Sequence, residues 1–493
     1  MNSTSSTLNE PTETLDPDDW EEFRRIAHQA VDDMVESLRG IRERAAWRPV
    51  PRATKNDLDE PVPWDGQPLS EVYSQFKECI QPYPTGNTHP RFFGWVMGNG
   101  TPTGALADFL ASWMNAHVAG YDQAASVIED KVLDWLKELM GFPLDGSGLL
   151  VSGGTMANIN ALLVARNNLE GLDIRQDGLT EAPLTVYGSS ETHSWVLKAC
   201  EVMGLGKKGF RSVPVNDNLQ VDCSALTRMI QQDIQSGFRP LALIGNAGTV
   251  STGAIDDFGA LRKIADDMNI WFHIDGAFGA MAAWGPESQV LVASQSECDS
   301  LAFDLHKWGY MPYEVACVLI KQSEAHTRTF ELAPSYLTSS QRGISVETTR
   351  FADRGIQLSR GFRALKVWMS MKEQGVKRIG EAIDRNVAQA RLLRDLVEAH
   401  DQLELLSNVS LNIVCFRYIA DGLKGDVLNE LNQELLLRIQ ESGFAVPSQT
   451  VLSGRFALRV CITNHRTTND DIRGLVDSVV FHGKAICSEM RPT

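Results

Sequence analysis

The sequence has no long apolar run, no paired-cysteine motif and no excess of positive charge. No apolar segment approaches the roughly 20 residues that a membrane-spanning helix needs. The eight cysteines form no CxxC pair and no Cys/His cluster at zinc spacing, so no metal site or disulfide framework is predicted. With 46 Lys and Arg against 63 Asp and Glu, the formal net charge of -17 disfavours binding to nucleic acid or to an anionic membrane surface.

The N-terminal residues predict an unstructured tail followed by an amphipathic helix. Residues 1–15 are mostly Ser, Thr, Asn and Glu, and no basic segment is followed by an apolar one, so a cytoplasmic location is expected. Asp16 can cap a helix with Pro17 at its first position. Apolar residues then recur along one face, at Trp20, Phe23, Ala27, Val31, Met34, Leu38 and Ile41. A lone helix cannot bury such a stripe, so residues 16–90 are predicted to be a helical dimerisation segment.

The rest of the chain divides into two predicted domains. Across residues 91–375, short apolar strands alternate with amphipathic helices, which is typical of an α/β domain with a mainly parallel sheet. Strands are predicted at LTVYGSS (184–190), PLALIGNAGT (240–249), IWFHIDG (270–276) and SLAFDLH (300–306). Residues 376–493 predict a smaller α+β domain. Ligands of open α/β sheets bind beyond the carboxyl ends of the strands, so the residues that follow each strand are the candidates for a site.

Polar or small residues follow several of these strands. At Gly154 and Thr155 a strand turns into a helix, where free backbone N–H groups would favour a monophosphate unless the turn is only a tight connection. His193 follows another strand, and it could instead be a capping or core histidine. Asp275 ends a strand of bulky apolar residues, where its carboxylate needs a cation or an N–H donor unless it caps a helix.

Lys307 lies in the stretch DSLAFDLHKWGYMP, directly after a predicted buried strand. A lysine chosen at random is usually on the surface. A buried lysine, however, is expected to lose its proton readily, as an imine-forming amine must. An amine, a carboxylate, a flat histidine ring and a phosphate cradle at the strand ends of one domain are the parts that pyridoxal 5'-phosphate (PLP) requires.

The same residues carry a family resemblance from about residue 20 to the C-terminus. Its motifs are HPRFFGWV (89–96), GGTMAN (153–158), HSW (193–195), HIDGAFG (273–279), HKW (306–308), LAPSYL (332–337) and SRGFRALKVW (359–368). With them, the chain resembles the group II PLP-dependent amino acid decarboxylases, the family of aromatic-L-amino-acid decarboxylase. The resemblance implies an aspartate-aminotransferase-like fold (fold type I) with a seven-stranded, mainly parallel central sheet, and a homodimer with active sites at the subunit interface.

The resemblance also implies how the cofactor ring is held. Lys307 would hold PLP as an internal aldimine, and Asp275 would keep the pyridine nitrogen protonated. The ring would stack on His193 and pack against Ala277 on its other face.

Further residues are implied for the phosphate and the substrate. Gly154 and Thr155 would contact the phosphate with help from the neighbourhood of Asp304, whose acidic side chain would need a partner of its own. Thr249 or Ser251 would contact the cofactor, and His306 would lie beside the substrate.

A second group of residues is expected to determine the substrate and the product. Phe92, Phe93 and Trp95 would form a flat wall that favours an aromatic side chain. Ser359 stands where serine goes with phenolic substrates in plant members of the family. Tyr336, on an exposed segment expected to act as a lid, would protonate the carbon that loses CO2, which favours amine formation.

The predicted reaction is decarboxylation of an L-amino acid, with an aromatic one favoured, to the amine and CO2 through an external aldimine and a quinonoid. A second hypothesis is an acidic or aliphatic substrate, for which Arg91 could supply a positive charge if it is not merely an exposed arginine. A third is decarboxylation-coupled oxidative deamination to an aldehyde, and a fourth is a cofactor-binding protein without turnover.

Overall fold

The computed structural model describes residues 14–179, 183–332, 342–346 and 348–490. The chain forms two compact units: the first comprises residues up to Arg44 together with Arg48–Thr85, and the second comprises Ala45–Trp47 together with Gly86 onwards. The predicted tail lies almost entirely outside the described residues, and the predicted domain boundaries at residues 90 and 375 stay predictions.

The first unit is helical. Its helices are α1 (Trp20–Arg39), α2 (Arg52–Asp57) and α3 (Leu69–Gln75), with a 3-10 turn at Ile41–Glu43 and a π-helical turn at Phe76–Ile80. The prediction that Asp16 caps the first helix is wrong, because the carboxylate of Asp19 accepts the backbone N–H groups of Glu21 and Glu22 and starts the helix three residues later.

The second unit contains a seven-stranded sheet. Its strands are β1 (Ser147–Val151), β2 (Leu184–Ser189), β3 (Phe210–Val213), β4 (Arg239–Asn246), β5 (Trp271–Asp275), β6 (Ser300–Asp304) and β7 (Ala316–Ile320). Their order is β1, β7, β6, β5, β4, β2, β3, and only β7 runs antiparallel to its neighbours. The α/β class, the mainly parallel sheet and the four predicted strands are therefore confirmed.

Further helices of the second unit precede, connect and follow these strands. They are α4 (Pro102–Met114), α5 (Ala124–Leu139), α6 (Gly154–Asn167), α7 (Ile174–Asp177), α8 (Trp195–Val202), α9 (Cys223–Gln235), α10 (Phe258–Met268), α11 (Ser323–Phe330) and α12 (Ala364–Gln374). Short 3-10 helices occur at Lys207–Gly209, Gly279–Trp284, Ser288–Val292, Gln295–Glu297 and Phe351–Arg354. The side chains of Thr101, Asp222 and Asp257 cap α4, α9 and α10. In contrast, α6 begins without a side-chain cap.

A smaller antiparallel sheet follows towards the C-terminus. Its strands are β8 (Leu403–Leu405), β9 (Ile413–Tyr418), β10 (Ser448–Leu452) and β11 (Arg455–Cys461), in the order β10, β11, β9, β8. The accompanying helices are α13 (Val376–Glu398), α14 (Gly425–Glu441) and α15 (Asn469–Met490). Most of these elements contribute side chains to a second hydrophobic core. Within the described ranges, no helix is both long and apolar enough to cross a membrane.

Candidate active site

The carboxyl ends of the parallel strands surround a cavity of about 670 Å³. The structure brings nine of the predicted site residues to its lining: Trp95, Gly154, Thr155, His193, Thr249, Asp275, Ala277, His306 and Lys307. Except for Trp95, which precedes β1, these residues lie at the ends of different strands or in the segments that follow them, as expected for an open α/β sheet. Among the described residues, no group of three or more His, Cys, Asp or Glu side chains is arranged to hold a metal ion.

Lys307 follows β6 and faces a carboxylate of the same strand. Its Nζ lies 2.8 Å from Oδ2 of Asp304, and its side chain is 25% exposed. Burial is the largest single effect and lowers the pKa of Lys307, but the charge of Asp304, the hydrogen bond to Asp304 and the smaller effects of Asp275 and Tyr313 together outweigh it, so the net pKa is raised. The expectation that this lysine readily loses its proton is therefore wrong for the geometry seen here, because the neighbouring carboxylate stabilises the ammonium.

Asp275 ends β5, where it is nearly inaccessible to solvent. Its Oδ2 accepts a hydrogen bond from the indole N–H of Trp195 at 2.5 Å, and its Oδ1 accepts one from the backbone N–H of Ala277 at 3.0 Å. No helix begins on this carboxylate, since the 3-10 helix that follows has Phe278 at its N-cap. The carboxylate thus has the N–H donors that the sequence required, and Trp195 is a site residue for which no role was predicted.

Two histidines of the cavity are neutral at pH 7. Burial lowers the pKa of His193, and nearby Asp275 offsets only part of that effect. Burial likewise lowers the pKa of His306, whose Nδ1 accepts the backbone N–H of Val315 at 3.2 Å. The Nδ1 of His193 accepts the backbone N–H of Trp195 at 3.1 Å, which orients the ring ahead of α8.

The first turn of α6 lies beside these groups. Its N-cap residue, Gly153, makes no side-chain cap, which leaves the N–H groups of the first turn available to an anion. A Cβ on Gly154 would lie 2.9 Å from Oδ2 of Asp304 and 3.2 Å from Cβ of Ala277. Only glycine leaves that space open.

Comparison with known proteins identifies the family. The pyridoxal-dependent decarboxylase conserved domain matches residues 51–419. The aromatic-L-amino-acid decarboxylase of Bacillus atrophaeus is 34% identical over 95% of this chain and 96% of its own. The phenylacetaldehyde synthase of a Rosa hybrid cultivar is 28% identical over 97% of this chain and 96% of its own. The crystal structure of Oryza sativa TDC with PLP and tryptamine has a TM-score of 0.89 and 26% identity, over 96% of this chain and 100% of that one.

The chain belongs to the pyridoxal-dependent decarboxylase family. It is a PLP-dependent amino acid decarboxylase, a lyase, and its fold is that of the fold type I PLP enzymes. The resemblance read from the motifs is confirmed.

The cavity of this decarboxylase fits PLP. Lys307 offers an amine for the aldehyde, Asp275 offers a carboxylate for the ring nitrogen, and the first turn of α6 offers N–H groups for the phosphate. Two buried polar atoms of the lining, Oδ1 of Asp304 and Nδ2 of Asn158, have no hydrogen-bond partner within the described structure. Such atoms are expected where a polar ligand binds.

The predicted aromatic wall of the decarboxylase is only partly realised. Trp95 lines the cavity. The predictions for Phe92 and Phe93 are wrong: the backbone N–H of Phe93 donates to the carbonyl of Val446, and the two rings pack into buried clusters away from the lining. Ser359 is also outside the lining and is exposed.

Three further predicted features have different outcomes. Arg91 does not reach the cavity lining, because its guanidinium donates to the carbonyl of Phe444 at 2.7 Å and lies 3.8 Å from Oδ1 of Asp471. The hydroxyl of Thr249 is already engaged, since it accepts the backbone N–H of Ala254. Tyr336 lies outside the described residues.

Sequence reasoning missed several residues of the decarboxylase cavity, notably Asn246, Phe278, Tyr313 and Glu314. The Tyr313 ring lies 4.5 Å from the His306 ring between centroids, and burial raises the pKa of its hydroxyl. The segment around Gly98 also lies next to this cavity. A Cβ on Gly98 would lie 1.7 Å from the carbonyl oxygen of His306, so this segment passes directly against the HKW motif.

Proposed function

We propose that this enzyme removes the α-carboxylate of an aromatic L-amino acid as CO2 and releases the corresponding amine. The observation that carries the proposal is the convergence of the Lys307 amine, the Asp275 carboxylate and the open first turn of α6 on one cavity with aromatic lining residues. The 34% identity to an aromatic-L-amino-acid decarboxylase supports the same substrate class.

PLP, when bound, supplies an aldehyde that bonds to amines and a ring that accepts the electron pair released with CO2. We assign Lys307 to the aldehyde and the first turn of α6, with Thr155, to the phosphate. Asp275 holds a proton at the ring nitrogen, and its hydrogen bonds from Trp195 and Ala277 fix the carboxylate in place.

Other residues of the cavity are assigned to the two faces of the PLP ring and to the substrate. His193 and Ala277 flank the ring, and His306, neutral at pH 7 because burial lowers its pKa, lies beside the substrate. The proton that replaces CO2 is assigned to Tyr336, as the resemblance implies, and this role stays a prediction.

The lining favours an uncharged aromatic substrate over an acidic one. Trp95, Phe278 and Tyr313 contribute aromatic surface. Among the described residues that line the cavity, Lys307 is the only Lys or Arg, and it is committed to the cofactor. An acidic side chain would therefore be desolvated there without a counter-ion.

We also propose that the enzyme is a homodimer with active sites at the subunit interface. In the first unit, α1 exposes Trp20, Phe23, Val31 and Val35, and in the second unit α4 exposes Leu106, Phe109 and Trp113. Apolar surface of this kind marks protein interfaces. The molar mass from light scattering would test whether the chain forms a dimer. The interface position of the active sites and the cytoplasmic location stay predictions.

The test of the proposed function is a product balance. PLP-loaded enzyme is incubated with Tyr, DOPA, Phe, Trp, 5-hydroxytryptophan, His, Glu, Asp, cysteine sulfinate, Leu, Met and Lys, and CO2, amine, aldehyde and hydrogen peroxide are measured. Equal CO2 and amine from an aromatic acid supports the proposal. Release only from an acidic or aliphatic acid overturns the substrate class, and peroxide with aldehyde overturns the product. Lys307→Ala serves as the inactive control.

A further inference from the structure

We propose that binding of the cofactor's phosphate is accompanied by uptake of one proton, which is shared between the phosphate and the Asp304 carboxylate. The inference rests on PLP as the cofactor and does not depend on the proposed substrate.

Asp304 lies against the place where the phosphate would bind. It ends β6, is 1% exposed, and its Oδ1 is buried without a hydrogen-bond partner. A Cβ on Gly154 would lie 2.9 Å from Oδ2 and 3.3 Å from Oδ1. Since Gly154 is the first residue of the 14-residue helix α6, an anion on that helix N-terminus would meet the carboxylate directly.

The charges around Asp304 do not neutralise a second anion. Lys307 contacts it at 2.8 Å and His306 lies 3.8 Å away. His306 is neutral at pH 7, because burial lowers its pKa. His193 is neutral for the same reason, and Tyr313 is neutral because burial raises its pKa.

The lining as a whole is acidic before any cofactor binds. Among the described lining residues, Lys307 is the only Lys or Arg, against the carboxylates of Asp275, Asp304 and Glu314. A phosphate monoester has a second pKa of about 6, so at neutral pH it brings close to two more negative charges.

Cofactor binding also removes the ammonium that Asp304 now faces. When the Lys307 amine bonds to the aldehyde carbon, a carbon–nitrogen double bond forms, the aldehyde oxygen leaves as water, and the nitrogen keeps at most one N–H. A carboxylate and a phosphate dianion in contact repel each other. One proton taken from solvent converts this repulsion into a charge-assisted hydrogen bond, which also satisfies the unpartnered Oδ1.

The proton can be counted by calorimetry, without any turnover. Apoenzyme is titrated at pH 8 with PLP, and separately with pyridoxal, which has the aldehyde but no phosphate, in buffers of different ionisation enthalpy. The wild type should take up one more proton with PLP than with pyridoxal. Asp304→Asn should take up equal numbers with both. By linkage, the wild-type preference for PLP over pyridoxal should fall about tenfold per pH unit between pH 7 and 9, and the variant's preference should stay level.

Glu314→Gln is the matched control. Glu314 also lines the cavity, but its side chain is 52% exposed and pairs with Arg363 at 3.0 Å, so this variant should keep the wild-type proton count. Equal proton uptake with PLP and pyridoxal by the wild type overturns the proposal, even if Asp304→Asn does not fold. A folded Asp304→Asn variant that still takes up one more proton with PLP than with pyridoxal also overturns the proposal. A wrong substrate class leaves all of these results unchanged.

Discussion

The indole N–H of Trp195 donates a 2.5 Å hydrogen bond to Asp275, a residue 80 positions further along the chain. Trp195 begins α8 and Asp275 ends β5, so the orientation of the carboxylate assigned to the ring nitrogen depends on how a helix start packs beside a strand end. The backbone N–H of Ala277 holds the other carboxylate oxygen.

Trp195→Phe should therefore weaken catalysis through Asp275. Losing a hydrogen bond to a charged group is expected to destabilise the fold by about 1–3 kcal/mol and to lower kcat about tenfold, with little change in KM. The absorbance of bound PLP should also change. Trp271→Phe is the control, because the Trp271 indole donates instead to Oγ of Ser300 at 2.8 Å. Unchanged kcat and absorbance in folded Trp195→Phe would contradict the positioning role.

Lys307→Ala should abolish both the covalently bound PLP absorbance and the activity. It should also destabilise the apoprotein by about 1–3 kcal/mol, because the buried Asp304 carboxylate loses the ammonium 2.8 Å away. Adding Asp304→Asn should restore most of that stability. Urea unfolding of the apoproteins measures both effects, and a double variant no more stable than Lys307→Ala would show that the ion pair does not matter for folding.

His273 should make the protein acid-sensitive. Burial lowers the pKa of His273 from 6.5 to about 4, and its Nε2 lies 2.6 Å from Oδ1 of Asn158. The unfolded chain binds the proton first, so this contribution is complete above pH 6.5 and is lost as the pH falls towards 4, by up to about 3 kcal/mol. Denaturant unfolding between pH 7 and 4.5 should show a shallower decline for His273→Gln. The exposed His28, replaced by Gln, should leave the wild-type slope unchanged.

Glu129→Gln should be strongly destabilising. Glu129 pairs with Arg360, with side chains 0% and 1% exposed, and Arg360 also donates to the carbonyls of Val118 at 2.6 Å and Leu150 at 2.8 Å. Removing the carboxylate charge leaves a buried guanidinium uncompensated, at a cost of about 3–5 kcal/mol. Glu21→Gln breaks an exposed pair and should change stability by less than about 1 kcal/mol. Similar thermal unfolding temperatures for Glu129→Gln and Glu21→Gln would contradict this prediction.

Tyr336→Phe should move the product from amine towards aldehyde. If Tyr336 supplies the proton to the carbon that loses CO2, its removal leaves that carbon open to oxygen. The ratio of hydrogen peroxide to amine, measured with the best substrate from the panel, should rise in the variant. If the variant releases amine and CO2 in equal amounts at the wild-type rate, another group must donate the proton.

Much of the fold could be predicted because the signals are local. The strands β2, β4, β5 and β6 are short runs of apolar residues closed by polar or small ones, and each lies where the sequence indicated. The start of α1 was missed because Asp16 and Asp19 are both good caps, and only the backbone geometry selects Asp19.

The position of a site residue could be predicted where the residue directly follows a strand. It could not be predicted where the position depends on packing against residues far along the chain. Lys307 and Asp275 reach the cavity because parallel strands bring their carboxyl ends together. Phe92 and Phe93 are aromatic residues of the same motif as Trp95, yet both are buried elsewhere. Their backbone pairs with that of Val446 and Cys461, which lie far along the chain.

Residue types and their spacing along the chain were enough to predict the fold class, the order of the motifs and the cofactor. The tertiary structure decided which aromatic side chain faces the cavity, that Trp195 holds Asp275, and that Asp304 keeps Lys307 protonated. Sequence periodicity reflects local secondary structure. Hydrogen bonds and pKa values depend instead on distances of a few ångströms between side chains, and only tertiary packing sets those distances.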